Sequence, residues 1–156
     1  MDFVIRKAAE TDIEALVRCH KDFMEHHINV DKRFTLRTAA EEKWEEQITN
    51  SMKDPNTLVL IAESDSYIAG CAYAIIKEGA MDFGPRKIGY LCDVFVEPDY
   101  RRQGITRQFL LTTQKWLQER GINTIEASWA VYCVEAQKTW RSLGFIPLSI
   151  SGQMDF

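Results

Sequence analysis

The sequence predicts a mixed α/β fold, a single sheet of mixed strand directions with helices on both faces. Two observations carry this. Apolar residues switch repeatedly between helical spacing and strand-like runs, so helices and strands alternate along the chain instead of segregating. Polar turns or helix caps mark most of the switches. Strands that alternate with helices are best buried when helices cover both sides of their sheet.

Residues 3–6 read as a short strand. Thr11 offers an N-cap and Glu14 completes a capping box. The helix that follows runs to about His27, with Ile13, Leu16, Val17, Phe23 and Met24 on its apolar face. A second box at Thr38 and Glu41 opens a helix carrying Trp44, Ile48 and Met52, which Asp54-Pro55 ends. Residues 57–62 and 67–76 are β-branched, apolar runs, and Glu63-Ser64-Asp65-Ser66 between them reads as a hairpin turn. Residues 77–87 hold two Gly and a Pro and read as a loop. Residues 88–96 form the next strand, whose pairing should stop near Pro98.

A helix over 104–120 turns Ile105, Phe109, Leu110, Trp116 and Leu117 inward, with Gly121 as its C-terminal cap. Residues 123–129 read as a strand. Residues 135–143 read as a short helix with Ala136, Trp140 and Leu143 on one face and Gly144 behind it. A last strand is expected over 145–150, with 153–156 as its partner.

The whole chain sets the limits. Its 156 residues fit one domain, 1–156, and a hydrophobic fraction of 46% supports a packed core. A net charge of -4 argues against nucleic-acid binding as the main role. The N-terminus has charges too early for a signal peptide, and no apolar run approaches the roughly 20 residues that span a bilayer. The expectation is a cytoplasmic protein with no membrane partner. Cys19, Cys71, Cys92 and Cys133 are widely spaced and read as small buried hydrophobes rather than disulfides. His20, His26 and His27 share a helix without a metal-ligand set around them, so no metal is expected and a helix-surface role is.

The strand-loop-helix unit over 90–120 carries the chemistry. A helix start leaves backbone N–H groups unpartnered at the positive end of the helix dipole, a ready site for phosphate. Gly104 lets a ligand approach the backbone, and Arg101 and Arg102 add positive charge. Neither G-x-x-x-x-G-K-[ST] nor G-x-G-x-x-G is present, against a Walker-type NTPase and a dinucleotide-binding domain. On spacing alone, R-x-x-G-x-T is as readily a solvated basic turn.

The segment Val94-Phe95-Val96-Glu97-Pro98-Asp99-Tyr100-Arg101-Arg102-Gln103-Gly104-Ile105-Thr106 resembles the acetyl-CoA motif of GNAT-type N-acetyltransferases. Thr106 departs from the small residue usual at the motif's end. Ala136, Trp140 and Gly144-Phe145 resemble the family's later A-x-x-x-Y-x-x-x-G-F segment. The resemblance implies a GNAT-like fold with a mixed, seven-stranded sheet splayed open near strand 88–96. It implies acetyl-CoA as cosubstrate. The backbone of Val94, Phe95 and Val96 would pair with the pantetheine like an added strand. The amides of Arg102, Gln103, Gly104, Ile105, Thr106 and Arg107 would hold the pyrophosphate, with Arg101 at the motif's basic position. A backbone N–H near Val96 would serve the oxyanion.

The acid and base are less directly given. Asp93 matches a carboxylate in the corresponding strand of polyamine acetyltransferases of the family, while Cys92 replaces a Glu. A carboxylate in an apolar strand is costly unless it faces a cleft or a partner. Asp93 is therefore a catalytic candidate, with a structural ion pair as the alternative. Trp140 replaces the family's usual acidic Tyr, and Cys133 its usual Asn. Both remain CoA-contacting positions by analogy, and Trp140 reads equally as core. Tyr132 nearby is the substitute candidate for protonating the thiolate, and Glu97 could act through water. Cys92 as an acyl-accepting nucleophile would need a stabilised thiolate. Phe34, Tyr73 and loop 77–87 border the acceptor pocket in the family's topology. The expected function is acetyl transfer to a primary amine of a small molecule, a polyamine-like cation among the candidates. A noncatalytic acyl-CoA sensor and a protein or peptide N-acetyltransferase are the alternatives, and related proteins often form homodimers.

Overall fold

The computed structural model describes residues 2–31, 40–79, 87–152 and 154. The strands are β1 (Val4–Lys7), β2 (Thr57–Ser64), β3 (Tyr67–Glu78), β4 (Lys87–Val96) and β5 (Ile125–Ala127). The helices are α1 (Ile13–Val30), α2 (Ala40–Lys53), α3 (Ile105–Gln118) and α4 (Val134–Ser142). The strands lie in sequence order in one sheet. Pairs β1–β2, β2–β3 and β3–β4 are antiparallel, and β4–β5 is parallel.

Each face of the sheet packs against its own helices. On one, Leu58, Leu60, Ala72 and Leu91 meet Ile105, Phe109 and Leu110 of α3 and Trp140 of α4. On the other, Val59, Ile61, Cys71, Tyr73 and Phe95 meet Leu16 and Cys19 of α1 and Ile48 of α2. Residues 58–62 of β2 are all buried, as a strand covered on both sides requires. Gly89 lies so close to α3 that a Cβ there would stand 2.3 Å from Leu117 Cδ1.

The entry to α1 differs from the expected capping box. Asp12, not Thr11, organises it. Its carboxylate accepts the Ala9 N–H at 2.7 Å and two Arg6 bonds at 2.7 and 2.9 Å. Arg6 also binds Glu63 of β2 at 2.6 Å, so one guanidinium ties β1, the turn and β2 together. The Arg6 ion pair holds the buried Asp12 carboxyl below its usual range. Thr38 of the second expected box lies outside the described residues, as do Phe34 and residues 80–86 of the expected loop.

Among the described residues the sheet has five strands, not seven. The expected strand over 145–150 is not one. Gly144 takes a left-handed φ of 94°, and Phe145 donates its N–H to Trp140 O at 3.0 Å and packs its ring against Trp140. Beyond it Ile146, Leu148 and Ile150 are exposed, and Pro147 has no N–H to give a ladder. The period-two pattern was present, but among the described residues no strand pairs with it. Strand β5 is also shorter than expected, three residues in place of 123–129.

Candidate active site

Strand β4 positions the site through two features. Its pairing with β5 covers only Gly89, Tyr90 and Leu91, so among the described residues the β5-side edge of 92–96 is open. The Glu97 N–H bonds Ala69 O at 2.9 Å on the β3 side. Alternation along a strand then turns the N–H groups of Val94 and Val96 to the open edge. This edge is a place where an extended ligand can add as a strand.

The second feature is a bulge. Tyr73 pairs with Asp93 and Ala74 with Leu91, leaving Cys92 as the extra residue. Leu91, Val94 and Val96 therefore join the core under α3, while Cys92 and Phe95 join the core under α1.

Past β4, a short turn over Pro98–Tyr100 leads to the loop before α3. Arg101 donates Nε to Val96 O at 2.9 Å and lies 3.7 Å from Glu135 of α4. Arg102 and Gly104 are left-handed, with φ of 63° and 88°. A Cβ on Gly104 would meet nothing within 4 Å, so the glycine serves the backbone turn and leaves open space before the helix. No side chain caps α3. Its first internal bond is from Gln108 N–H to Gly104 O at 3.0 Å, so the N–H groups of Ile105, Thr106 and Arg107 emerge at the helix start.

Open edge and helix start share one cavity of about 780 Å³. Val94, Phe95 and Val96 line it, with Arg101, Arg102, Gly104, Ile105, Thr106 and Arg107. So do Tyr132, Cys133 and Trp140. Trp140 is nevertheless a core residue, 8% exposed. Cys133 sits at the N-cap of α4, where its carbonyl accepts Gln137 N–H at 3.0 Å. Gln103 does not line the cavity: its amide nitrogen turns to Asp99 O at 3.3 Å.

Asp93 does not line it either. Its side chain turns to α1, where Oδ2 lies 3.8 Å from His20 Nδ1. His20 stands edge-on to Trp44 of α2, ring centroids 4.6 Å apart. Burial raises the Asp93 carboxyl above its ordinary value against the opposing pull of His20 and His27. Burial likewise lowers the His20 imidazole and raises the Tyr73 phenol. Burial pushes the Cys92 thiol up to about 11, so it is a neutral thiol near pH 7 and not a poised nucleophile. Glu97 accepts the Tyr67 hydroxyl at 3.0 Å, away from this group.

Sequence reasoning placed the three histidines on a helix surface. Instead His20 is half-buried against Asp93, and Phe23, His26 and His27 line the cavity. Their spacing held the signal, since residues three, four and seven apart share a helical face. His20, Phe23 and His27 occupy such positions beside the core residues Leu16 and Cys19.

Comparison with known proteins agrees with this geometry. The aminoglycoside N-acetyltransferase AAC(6')-Iy in complex with CoA superposes with a TM-score of 0.83 at 17% identity, covering 99% of this chain and 95% of that one. A predicted acetyltransferase from Clostridium acetobutylicum with acetyl-CoA gives 0.77 at 18% identity, covering 99% and 96%. A transcriptional regulator from Bacillus halodurans C-125 gives 0.79 at 21% identity, covering 99% and 100%. At these identities the likeness is one of fold. No curated protein sequence matches significantly. The family model for the acetyltransferase (GNAT) family matches residues 14–145, from the first turn of α1 to just past α4, and the chain belongs to that family.

Proposed function

We propose that residues 1–156 form one GNAT domain that transfers the acetyl group of acetyl-CoA to a primary amine of a small molecule, by direct attack in a ternary complex. One observation carries the reading: the open edge of β4 runs into the uncapped start of α3 along a single cavity. The edge amides of Val94 and Val96 suit the amide groups of pantetheine. The amides of residues 102–107, with Arg101 and Arg102, suit the pyrophosphate. The Val96 N–H is the oxyanion donor. Asp93 draws the acceptor ammonium to the acyl end, and Tyr132, whose hydroxyl oxygen is buried, protonates the leaving thiolate. Cys133 and Trp140 close the cavity over the cofactor's arm.

The AAC(6')-Iy structure with a CoA–acetylneamine bisubstrate analogue makes a polycationic amine the first acceptor to test. No described helix is long and apolar enough to cross a membrane. The proposed enzyme works in the cytoplasm without a membrane or nucleic-acid partner. A homodimer is compatible with this reading. The test is calorimetric titration with CoA, followed by thiol-release assays with spermidine, neamine, amino acids and peptides. Tight CoA binding without turnover of any amine would defeat the enzymatic reading.

A specific observation favours a second reading. Trp140, buried where the family usually has an acidic Tyr, cannot protonate a thiolate. A noncatalytic acyl-CoA sensor would need no such group. Equal, near-zero turnover by the native protein and Asp93→Asn would favour it. Peptides outcompeting small amines would instead favour a protein-directed acetyltransferase.

A further inference from the structure

Three polar side chains from three elements meet behind the β4 bulge. Tyr73 of β3 and Asp93 of β4 are direct register partners, so they share the α1 face of the sheet. His20 of α1 reaches the same place, with Nδ1 3.8 Å from Asp93 Oδ2. Trp44 stands edge-on to that imidazole. Tyr73 is 8% exposed, yet its hydroxyl has no hydrogen-bond partner among the described residues. A buried hydroxyl without a partner is an incomplete arrangement, since polar groups removed from water are normally paired. Asp93 keeps a side-chain exposure of 30%, and its chain neighbours Cys92 and Val94 both line the cavity. The cluster therefore opens one residue away from the edge where the acyl group is placed under the proposed function.

The chemistry of the three groups matches one kind of occupant. A primary ammonium has three N–H donors and no acceptor. A carboxylate, a neutral imidazole nitrogen and a phenol oxygen can each accept one. Resting on the acetyltransferase reading, we propose that Asp93, His20 and Tyr73 form the acceptor-ammonium subsite, and that His20 takes the ammonium proton. The proton passes from nitrogen to imidazole, and Asp93 steadies the imidazolium so formed. The neutral amine then forms its bond to the thioester carbonyl carbon. When the C–S bond breaks, Tyr132 protonates the thiolate to give CoA thiol and takes up the second proton shed by nitrogen. The imidazolium returns its proton to solvent, which balances the reaction.

The groups around His20 set the pH behaviour. From β4 it faces Asp93, and from α2 the uncharged Trp44. On α1, Phe23 lies beside it, and His27 bears on the same carboxylate. Burial lowers the imidazole and Asp93 raises it. Activity should rise with pH through the His20 titration, because only the neutral ring accepts a proton. Removing the Asp93 charge should move that limb to lower pH.

The experiment pairs pH–rate profiles with NMR titration of the His20 ring in wild type, His20→Gln, His20→Asn, Asp93→Asn and Tyr73→Phe, each checked for folding and CoA affinity. Either His20 variant should lose about 100-fold in kcat, on the scale of a proton-transfer group. It should also lose the acid limb while CoA binding stays within twofold. Asp93→Asn should shift the kinetic limb and the NMR midpoint downward together. Tyr73→Phe should raise KM for a primary amine at least tenfold more than it changes kcat. The proposal is overturned if the His20 variants keep the wild-type limb and rate, or if Asp93→Asn erases the limb that His20→Gln only moves, which would make Asp93 the base. Butylamine and spermidine should shift the His20 resonances of the CoA-bound protein, and no shift at saturating amine overturns the subsite even without turnover. Failure of CoA to bind would strike the acetyltransferase reading instead.

Discussion

Replacing Gly104 with alanine separates the backbone requirement of the loop from the CoA-binding role proposed for it. Gly104 sits at φ 88°, and an added Cβ would touch nothing within 4 Å. The folded protein therefore pays only for a left-handed alanine, about 1–2 kcal/mol. For a chain of this length that lowers Tm by about 2–8 °C. Gly121 is the internal control: its φ is 71°, its Cβ position is equally empty, and it follows the far end of α3. Gly121→Ala should lose similar stability and bind CoA as wild type does. In Gly104→Ala the new methyl enters the open space where the amides of residues 105–107 emerge. A misplaced diphosphate that loses about 1.4–3 kcal/mol of contacts weakens binding about 10- to 100-fold. Differential scanning fluorimetry and calorimetric CoA titration read the two effects separately. If Gly104→Ala melts like Gly121→Ala and binds CoA within twofold of wild type, the diphosphate does not sit on these amides.

Other perturbations probe the frame around the site. Asp12→Asn should cost about 2 kcal/mol, less than a fully buried pair because Arg6 is 37% exposed. The folded Asp12 carboxyl is depressed, so its contribution is present above the ordinary carboxylate range near pH 4 and is lost as pH falls through the folded value; acid unfolding monitored by circular dichroism should begin at higher pH in the variant. Gly89→Ala should destabilise by about 1–3 kcal/mol in urea melts, because its methyl would overlap Leu117. Cys92→Ser should keep more than half of the activity, and wild-type Cys92 should resist alkylation at pH 8, since its thiol titrates at about 11.

Much of the fold was legible because its signals are local. The helical spacing of Phe109, Leu110 and Leu117 and the turn at 63–66 each act over a few residues, and the structure places α3 and the β2–β3 hairpin there. The helix start at Gly104 was legible to within one residue: α3 begins at Ile105, with Gly104 as its left-handed N-cap. The failures are non-local. Residues 145–150 carry a strand's alternation, but a strand exists only where it pairs, and none of the described strands pairs with them. Asp12 displaced Thr11 as the organiser of α1 because Arg6, itself held by the sequence-distant Glu63, binds its carboxylate.

The placement of Asp93 follows from the one irregularity that no periodic reading contains. Strict alternation along β4 would put Leu91, Asp93 and Phe95 on one face. The extra residue at Cys92 breaks that alternation, so Leu91 instead packs with Val94 and Val96 under α3. Asp93 stays with Phe95 on the α1 face, beside His20 and opposite Tyr73. The bulge thus lets one strand serve two environments: an apolar face and open edge toward the cavity, and a carboxylate turned to the α1 face. It also relates the short β5 pairing to the site. The bulge at Cys92 follows directly after Leu91, the last residue of β4 paired with β5, and the free edge begins there. The departure from regular pairing that turns Asp93 to the α1 face is therefore continuous with the opening that forms the cavity. A sequence argument based on period alone could find the carboxylate, but not the side of the sheet on which it stands.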